Sequence, residues 1–194
     1  MPIEITDRKG NVTVVDTDEG PRPGTTMEVL AKLRPVTSLG DVTTAGNASS
    51  LNDGASCVIV ASDEALKKHN LTARARVVAN SARGVRPEIM GTGPIPATRD
   101  VLERAGWELD SVDAVELNEA FATQSLACIR ELGLDEDKVN AWGGAIALGH
   151  PLGSSGSRVT LTLLNRLETD GLRRGIATMC VGVGQGTAIA IERV

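Results

Sequence analysis

Apolar and polar positions alternate with period two over residues 2–16, with Ile3 and Ile5 on one side of Lys9-Gly10-Asn11 and Val12 and Val14 on the other. That is the pattern of a β-hairpin, and two strands alone need something to pack on. A Pro/Gly connector follows at 18–24. Thr25 or Thr26 then caps a short helix running to Leu33 and ended by Pro35. Residues 43–53 (TTAGNASSLND) are a polar loop, and 54–61 (GASCVIVA) form a nearly continuous apolar run that suits a strand buried on both faces. The segment 62–70 reads as a helix with acids in its first turn and Lys67, Lys68 and His69 in its last.

From Arg74 the periodicity becomes regular. Strands are expected at 75–82, 113–117, 176–180 and 187–192, with a short extended piece at 139–142. Helices are expected at 97–105 with Val101 and Leu102 inward, at 120–132 with Phe121, Leu126, Ile129 and Leu132 on one face, and at 157–167 with Val159, Leu163 and Leu164 inward. Strands alternating with helices and closing in a hairpin predict an α/β fold: a mixed five-stranded sheet covered by helices and preceded by a β-ribbon.

Composition narrows this picture. The chain has 194 residues, is 41% hydrophobic, and carries two Trp, one Phe and no Tyr, so its core is aliphatic. A net charge of −5 gives no basic footprint for nucleic acid. A polyanionic ligand would have to be met locally, by Arg22 or by helix N-termini. Three cysteines without a CxxC spacing indicate neither a disulfide framework nor a zinc site, which fits a reducing, cytosolic setting. The charged N-terminus does not match a signal peptide, and no apolar run reaches membrane-spanning length, so a soluble protein without membrane attachment is expected.

Candidate chemistry gathers in three stretches. Residues 143–158 (GGAIALGHPLGSSGSR) hold His150, one of two histidines, between glycine clusters and ahead of a helix that Ser154, Ser155 or Ser157 can cap. His150 has the ordinary pKa for general acid–base work near neutrality, whereas His69 reads as a solvated helix end. Asn118, in NEAF, lies where a strand gives way to a helix; it can serve as a helix cap or hold a water that donates to an oxyanion. Glu119 beside it is either a structural partner or a charge near the cysteine. Cys180 opens CVGVGQG, where it is either a core thiol or a proton carrier; Cys57 and Cys128 read as core thiols. The glycine run of CVGVGQG does not fit a dinucleotide-binding loop, because a strand follows it.

NEAF, GGAIALGHPLGSSGSR and CVGVGQG, in this order and spacing, closely resemble the three C-terminal signatures of the thiolases, which make or cleave 3-ketoacyl-CoA. RPGTT, LAKLRPV, TAGNAS, LNDGA and MGTGPIPATR extend the resemblance along the chain. The resemblance implies a thiolase-fold C-terminal half, with residues 1–70 completing the loop domain and the last strand and helix of an N-terminal domain, and 71–194 forming the C-terminal domain. It implies that His150 activates an acyl-accepting cysteine and, with a water on Asn118, forms an oxyanion hole. It implies further that Cys180 exchanges the α-proton and that a Gly182 N–H serves a second oxyanion hole. Coenzyme A contacts carried over are Arg22 near the nucleotide phosphates, Ser49 at the pantetheine, and Met90 and Phe121 lining the acyl site. DEGPR departs from the family's DEHPR at Gly20.

The acyl-accepting cysteine belongs to the family's N-terminal half, and neither Cys57 nor Cys128 lies in its setting. The chain is therefore expected to be inactive alone, to need an N-terminal half, to use acyl-CoA as a substrate without a covalently bound cofactor or a metal, and to self-associate as family members commonly do. A non-catalytic CoA-binding or assembly subunit is the alternative. A Cys–His–Asn hydrolase triad is a third reading, opposed by a cysteine that ends a strand and does not sit at a helix N-terminus.

Overall fold

The computed structural model describes residues 2–38, 40 and 42–194. A ribbon of β1 (Ile3–Thr6) and β2 (Val12–Val15) leads through α1 (Met27–Leu30) and α2 (Asp63–His69) to the main body. That body contains β3 (Ala75–Gly84), α3 (Pro94–Ala105), β4 (Ala114–Leu117), α4 (Ala122–Leu132), α5 (Ala145–Leu148), α6 (Ser155–Thr169), β5 (Arg174–Val181) and β6 (Gln185–Arg193). The sheet order is β3-β6-β5-β4, with β4 and β5 parallel and the other pairs antiparallel.

Each face of the sheet has its own core, because successive side chains on a strand point to opposite faces. Val115, Leu117 and Ile176 pack with Val101 of α3 and Cys128 of α4 on one face. Ala114 and Ala177 pack with Val159, Leu163 and Leu167 of α6 on the other. The result is three layers. Gly106 and Gly133, at φ of 64° and 67°, end α3 and α4 in the left-handed conformation that glycine adopts without a side-chain clash. Ser62 caps α2, accepting from the Ala65 N–H.

Three expectations need correction. The sheet has four strands among the described residues, not five: the piece at 139–142 makes a single parallel bridge, Val139 to Val115, before the chain turns at Asn140 with φ of 47°. The apolar run at 54–61 forms no strand. It finds no pairing partner, and Ile59 and Val60 stay 84% and 81% exposed. Helix α4 starts two residues late, with Phe121 as its N-cap, and turns Gln124, Ser125 and Cys128 inward while Phe121 and Leu126 remain exposed. The phase of α4 follows Cys128, whose thiol donates to the Gly91 carbonyl at 3.4 Å. No helix among the described residues is long and apolar enough to cross a membrane.

Candidate active site

Asn118 and Cys180 lie at the carboxyl ends of β4 and β5. Those strands run parallel in the register Leu117 to Thr178, so both residues reach the same sheet edge, where α/β folds place ligands. Strand alternation sends Cys180 towards the α3–α4 side and Asn118 towards α6. His150 arrives from α5 through Gly149, at φ of 90°, and is fixed by Pro151. The structure brings Asn118 and His150 into direct contact: Asn118 Nδ2 lies 3.2 Å from His150 Nε2. Among the described residues no hydrogen bond joins the Cys180 side chain to either.

The hydrogen-bond network sets the histidine tautomer. Ser155 Oγ donates to the Pro151 carbonyl at 3.0 Å, so at 2.6 Å it accepts from His150 Nδ1–H. Nε2 is then the nitrogen with the free lone pair, and it accepts from the Asn118 amide. Arg158 Nη2 donates to Asn118 Oδ1 at 3.4 Å, which agrees with the same amide orientation. His150 is 8% exposed, and burial, reinforced by the Arg158 charge, holds its pKa below the usual value. The ring is therefore neutral at pH 7 and available as a base.

Cys180 is 4% exposed, and burial pushes its thiol up, so it is protonated at neutral pH and is a proton donor. Burial likewise raises Cys128 to about 11, against a lowering contact from Gln124, and marks it as a packing thiol. Cys57, by contrast, is exposed, because the strand expected around it does not form. Gly182 sits exposed in the β5–β6 turn, which passes through Val183 at φ of 60° and Gly184 at φ of 89°. Gly184 has no room for a Cβ, which would meet Pro87 N at 3.0 Å.

Glu119 is a structural partner. Its carboxylate accepts from Asn140 Nδ2 at 2.9 Å and from the Ile146 N–H at 3.2 Å, and it fills the space where a side chain on Gly144 would project. The polar loop at 43–53 crosses the whole site. The Ala122 N–H donates to Asn47 O at 2.8 Å, Ser49 N–H to Ala120 O at 3.0 Å, and His150 N–H to Ser50 O at 3.1 Å. The hydroxyls expected to cap α6 make side-chain bonds of a different kind: Ser154 and Ser157 lie 2.7 and 2.5 Å from Ser56 Oγ.

Among the residues expected to contact CoA, Ser49 is half-buried beside the Ala48–Phe121 bridge, and Phe121 is 38% exposed at the start of α4. Met90 is half-buried in the turn packed on α4, where a Cβ on neighbouring Gly91 would meet Gln124 at 2.8 Å. Arg22 is exposed on the connector, which lies against α5 so closely that a Cβ on Gly20 would meet Ala147 O at 2.5 Å. No group of metal-ligating side chains occurs among the described residues.

Four contributors were missed in the sequence: Asn140, Arg158, the buried Glu116, and Asn52, whose Oδ1 also accepts from the His150 N–H at 3.2 Å. Glu116 lies 3.7 Å from Arg166 under the floor of the site. Asn140 and Glu116 are isolated polar residues in sequence, whereas Arg158, inside the glycine-loop motif, and Asn52, inside LNDGA, sat where a signal could have been sought.

The family model for the thiolase C-terminal domain matches residues 57–193, and that for the thiolase N-terminal domain matches residues 1–64. The chain belongs to the thiolase family. It is 59% identical over 196 residues to a beta-ketoadipyl-CoA thiolase of Pseudomonas aeruginosa, a match covering 100% of this chain and 49% of that thiolase. It is 52% identical over 193 residues to an acetyl-CoA acetyltransferase of Thiocystis violacea, with the same shares covered. The crystal structure of the Bacillus anthracis acetyl-CoA acetyltransferase superposes with a TM-score of 0.92 at 46% identity, over 100% of this chain and 49% of the other. Human mitochondrial 3-ketoacyl-CoA thiolase in complex with CoA superposes with a TM-score of 0.90 at 48% identity, over 98% and 48%. This thiolase chain thus spans about half the length of the curated relatives it matches.

Proposed function

We propose that the chain supplies the proton-handling half of a thiolase, catalysing acyl transfer between acyl-CoA and acetyl-CoA, with the acyl-accepting cysteine coming from an N-terminal half. The contact that carries this reading is Asn118 Nδ2 to His150 Nε2 at 3.2 Å, with the unprotonated nitrogen facing the sheet edge. In thiolysis, His150 Nε2 takes the proton of the acyl-accepting thiol. The resulting thiolate attacks the ketone carbon of 3-ketoacyl-CoA, and the Cα–C bond breaks. The carbanion of the departing acetyl-CoA takes a proton from Cys180. The incoming CoA thiol gives its proton to the Cys180 thiolate, CoA thiolate attacks the acyl-enzyme thioester, and the released cysteine thiolate recovers its proton from His150. Negative charge passes through thioester and ketone oxygens, where His150 with a water held by Asn118, and the Gly182 N–H, are the donors.

On this reading Arg22, Ser49, Met90 and Phe121 contact CoA and the acyl chain, residues 1–70 complete the loop and N-terminal domains, and 71–194 form the C-terminal domain. The enzyme is then a cytosolic oligomer. The unpaired run at 54–61 supports the N-terminal partner, because a sheet from that half would cover it. The identity to a beta-ketoadipyl-CoA thiolase favours 3-oxoadipyl-CoA over longer monocarboxylic chains.

The test is thiolysis of acetoacetyl-CoA and 3-oxoadipyl-CoA by the chain alone and by the chain assembled with an N-terminal thiolase half. The chain alone should be silent and the assembly active, and Cys180→Ala in the assembly should lower kcat by about 10²–10⁴-fold. Turnover by the lone chain would overturn the partner requirement. A stable assembly without turnover would overturn the acyl-transfer reading.

A further inference from the structure

Past Val115, no segment among the described residues continues the sheet beyond the outer edge of β4. Asn118 N–H points to β5, donating to Thr178 O at 3.0 Å, so the N–H and C=O of Leu117 point the other way. Leu117 is 1% exposed, and such buried backbone groups require partners. One side chain provides both. Leu117 N–H donates to Asn140 Oδ1 at 2.8 Å, and Asn140 Nδ2 donates to Leu117 O at 2.8 Å.

The second proton of the same Nδ2 goes to Glu119 Oε1 at 2.9 Å, so Asn140 holds the residues on both sides of Asn118. The other Glu119 oxygen accepts from Ile146 N–H, in α5, the helix that leads to His150. Asn140 can face inward because its backbone is left-handed at φ of 47°, a conformation that asparagine tolerates, while its own N–H stays bonded to Val115 O at 3.0 Å.

We infer that Asn140 is a positioning residue for the Asn118–His150 pair: its amide replaces a sheet strand at Leu117 and, through Glu119, ties the end of β4 to the histidine loop. This rests on the acyl-transfer reading for its kinetic consequence but not for its geometry. Asn140→Asp keeps the shape, turns a donor into an acceptor facing Leu117 O, and sets a carboxylate against Glu119. Asn140→Gly keeps the left-handed backbone and removes the amide, so it serves where the aspartate variant does not fold.

Two measurements decide. In the assembled enzyme, either variant should lower kcat about tenfold or more with KM for acetoacetyl-CoA changed less than about twofold, since a misplacement near 1 Å is costly to chemistry. In the Asn118→Ala background the same change should cost nothing further. Losses that multiply in the double variant would overturn the inference. In the chain itself, the ¹⁵N resonance of His150 Nε2 should move in both Asn140 variants towards its position in Asn118→Ala. A resonance that Asn118→Ala moves and the Asn140 variants leave in place would also overturn it. The second measurement stands even if the assembly shows no turnover, an outcome that sinks the acyl-transfer reading alone.

Discussion

Glu116 is 3% exposed behind the site, and burial, offset in part by Arg166, raises its carboxyl from 4.5 to about 7. A carboxyl raised in the folded state binds its proton more tightly there than in the unfolded chain. Its contribution to stability is therefore complete below pH 4.5 and declines as pH rises towards 7. His150, held below 6.5, has the opposite sign: its contribution is complete above pH 6.5 and is lost on acidification. Urea midpoints from pH 5 to 8 should fall for the native chain relative to Glu116→Gln, by up to roughly 3 kcal/mol in stability. Parallel curves for the two proteins would refute this. At this scale the sequence singled out the candidate residues but not their supports. His150, Asn118 and Cys180 stand out by motif, whereas Asn140 and Glu116 are ordinary letters until the fold sets them beside Leu117 and Arg166.

Among elements, the legible ones carry a period that local packing enforces. Helix α6 was foreseen with Val159 and Leu163 inward, and Leu163 is fully buried over Gly175, where a Cβ would meet it at 2.5 Å. Leu163→Ala should cost about 2–5 kcal/mol by chemical denaturation, since little can collapse into the space. The ribbon makes the contrast: Val14 is 53% exposed, and Val14→Ala should shift stability by only about 0.5 kcal/mol. Equal effects at the two positions would show that the sheet–α6 core is not what holds the fold. Helix α4 was misread in phase because its buried face sets Gln124 and Ser125, which hydropathy scores as outward, beside Cys128. The fifth strand was misread because a side-chain amide can take over backbone pairing, and no periodicity records that.

Across the whole molecule, α/β alternation was enough to give the layered architecture, since each helix needs a sheet face to cover. What the pattern at 54–61 could not reveal is its partner. Its apolar run is the composition of a buried strand, yet Ile59 and Val60 face solvent. Pairing is a property of two segments, and a single sequence displays only one of them.

That unpaired run also carries Cys57, the exposed thiol of the three, while Cys128 and Cys180 are sealed and raised in pKa. The chain therefore comes with a built-in labelling handle. A maleimide dye at neutral pH should modify one cysteine rapidly, and Cys57→Ser should abolish the fast phase; two fast-reacting thiols would contradict the burial of the others. A fluorophore there would sit on the segment that an N-terminal half would cover, turning assembly into an optical signal.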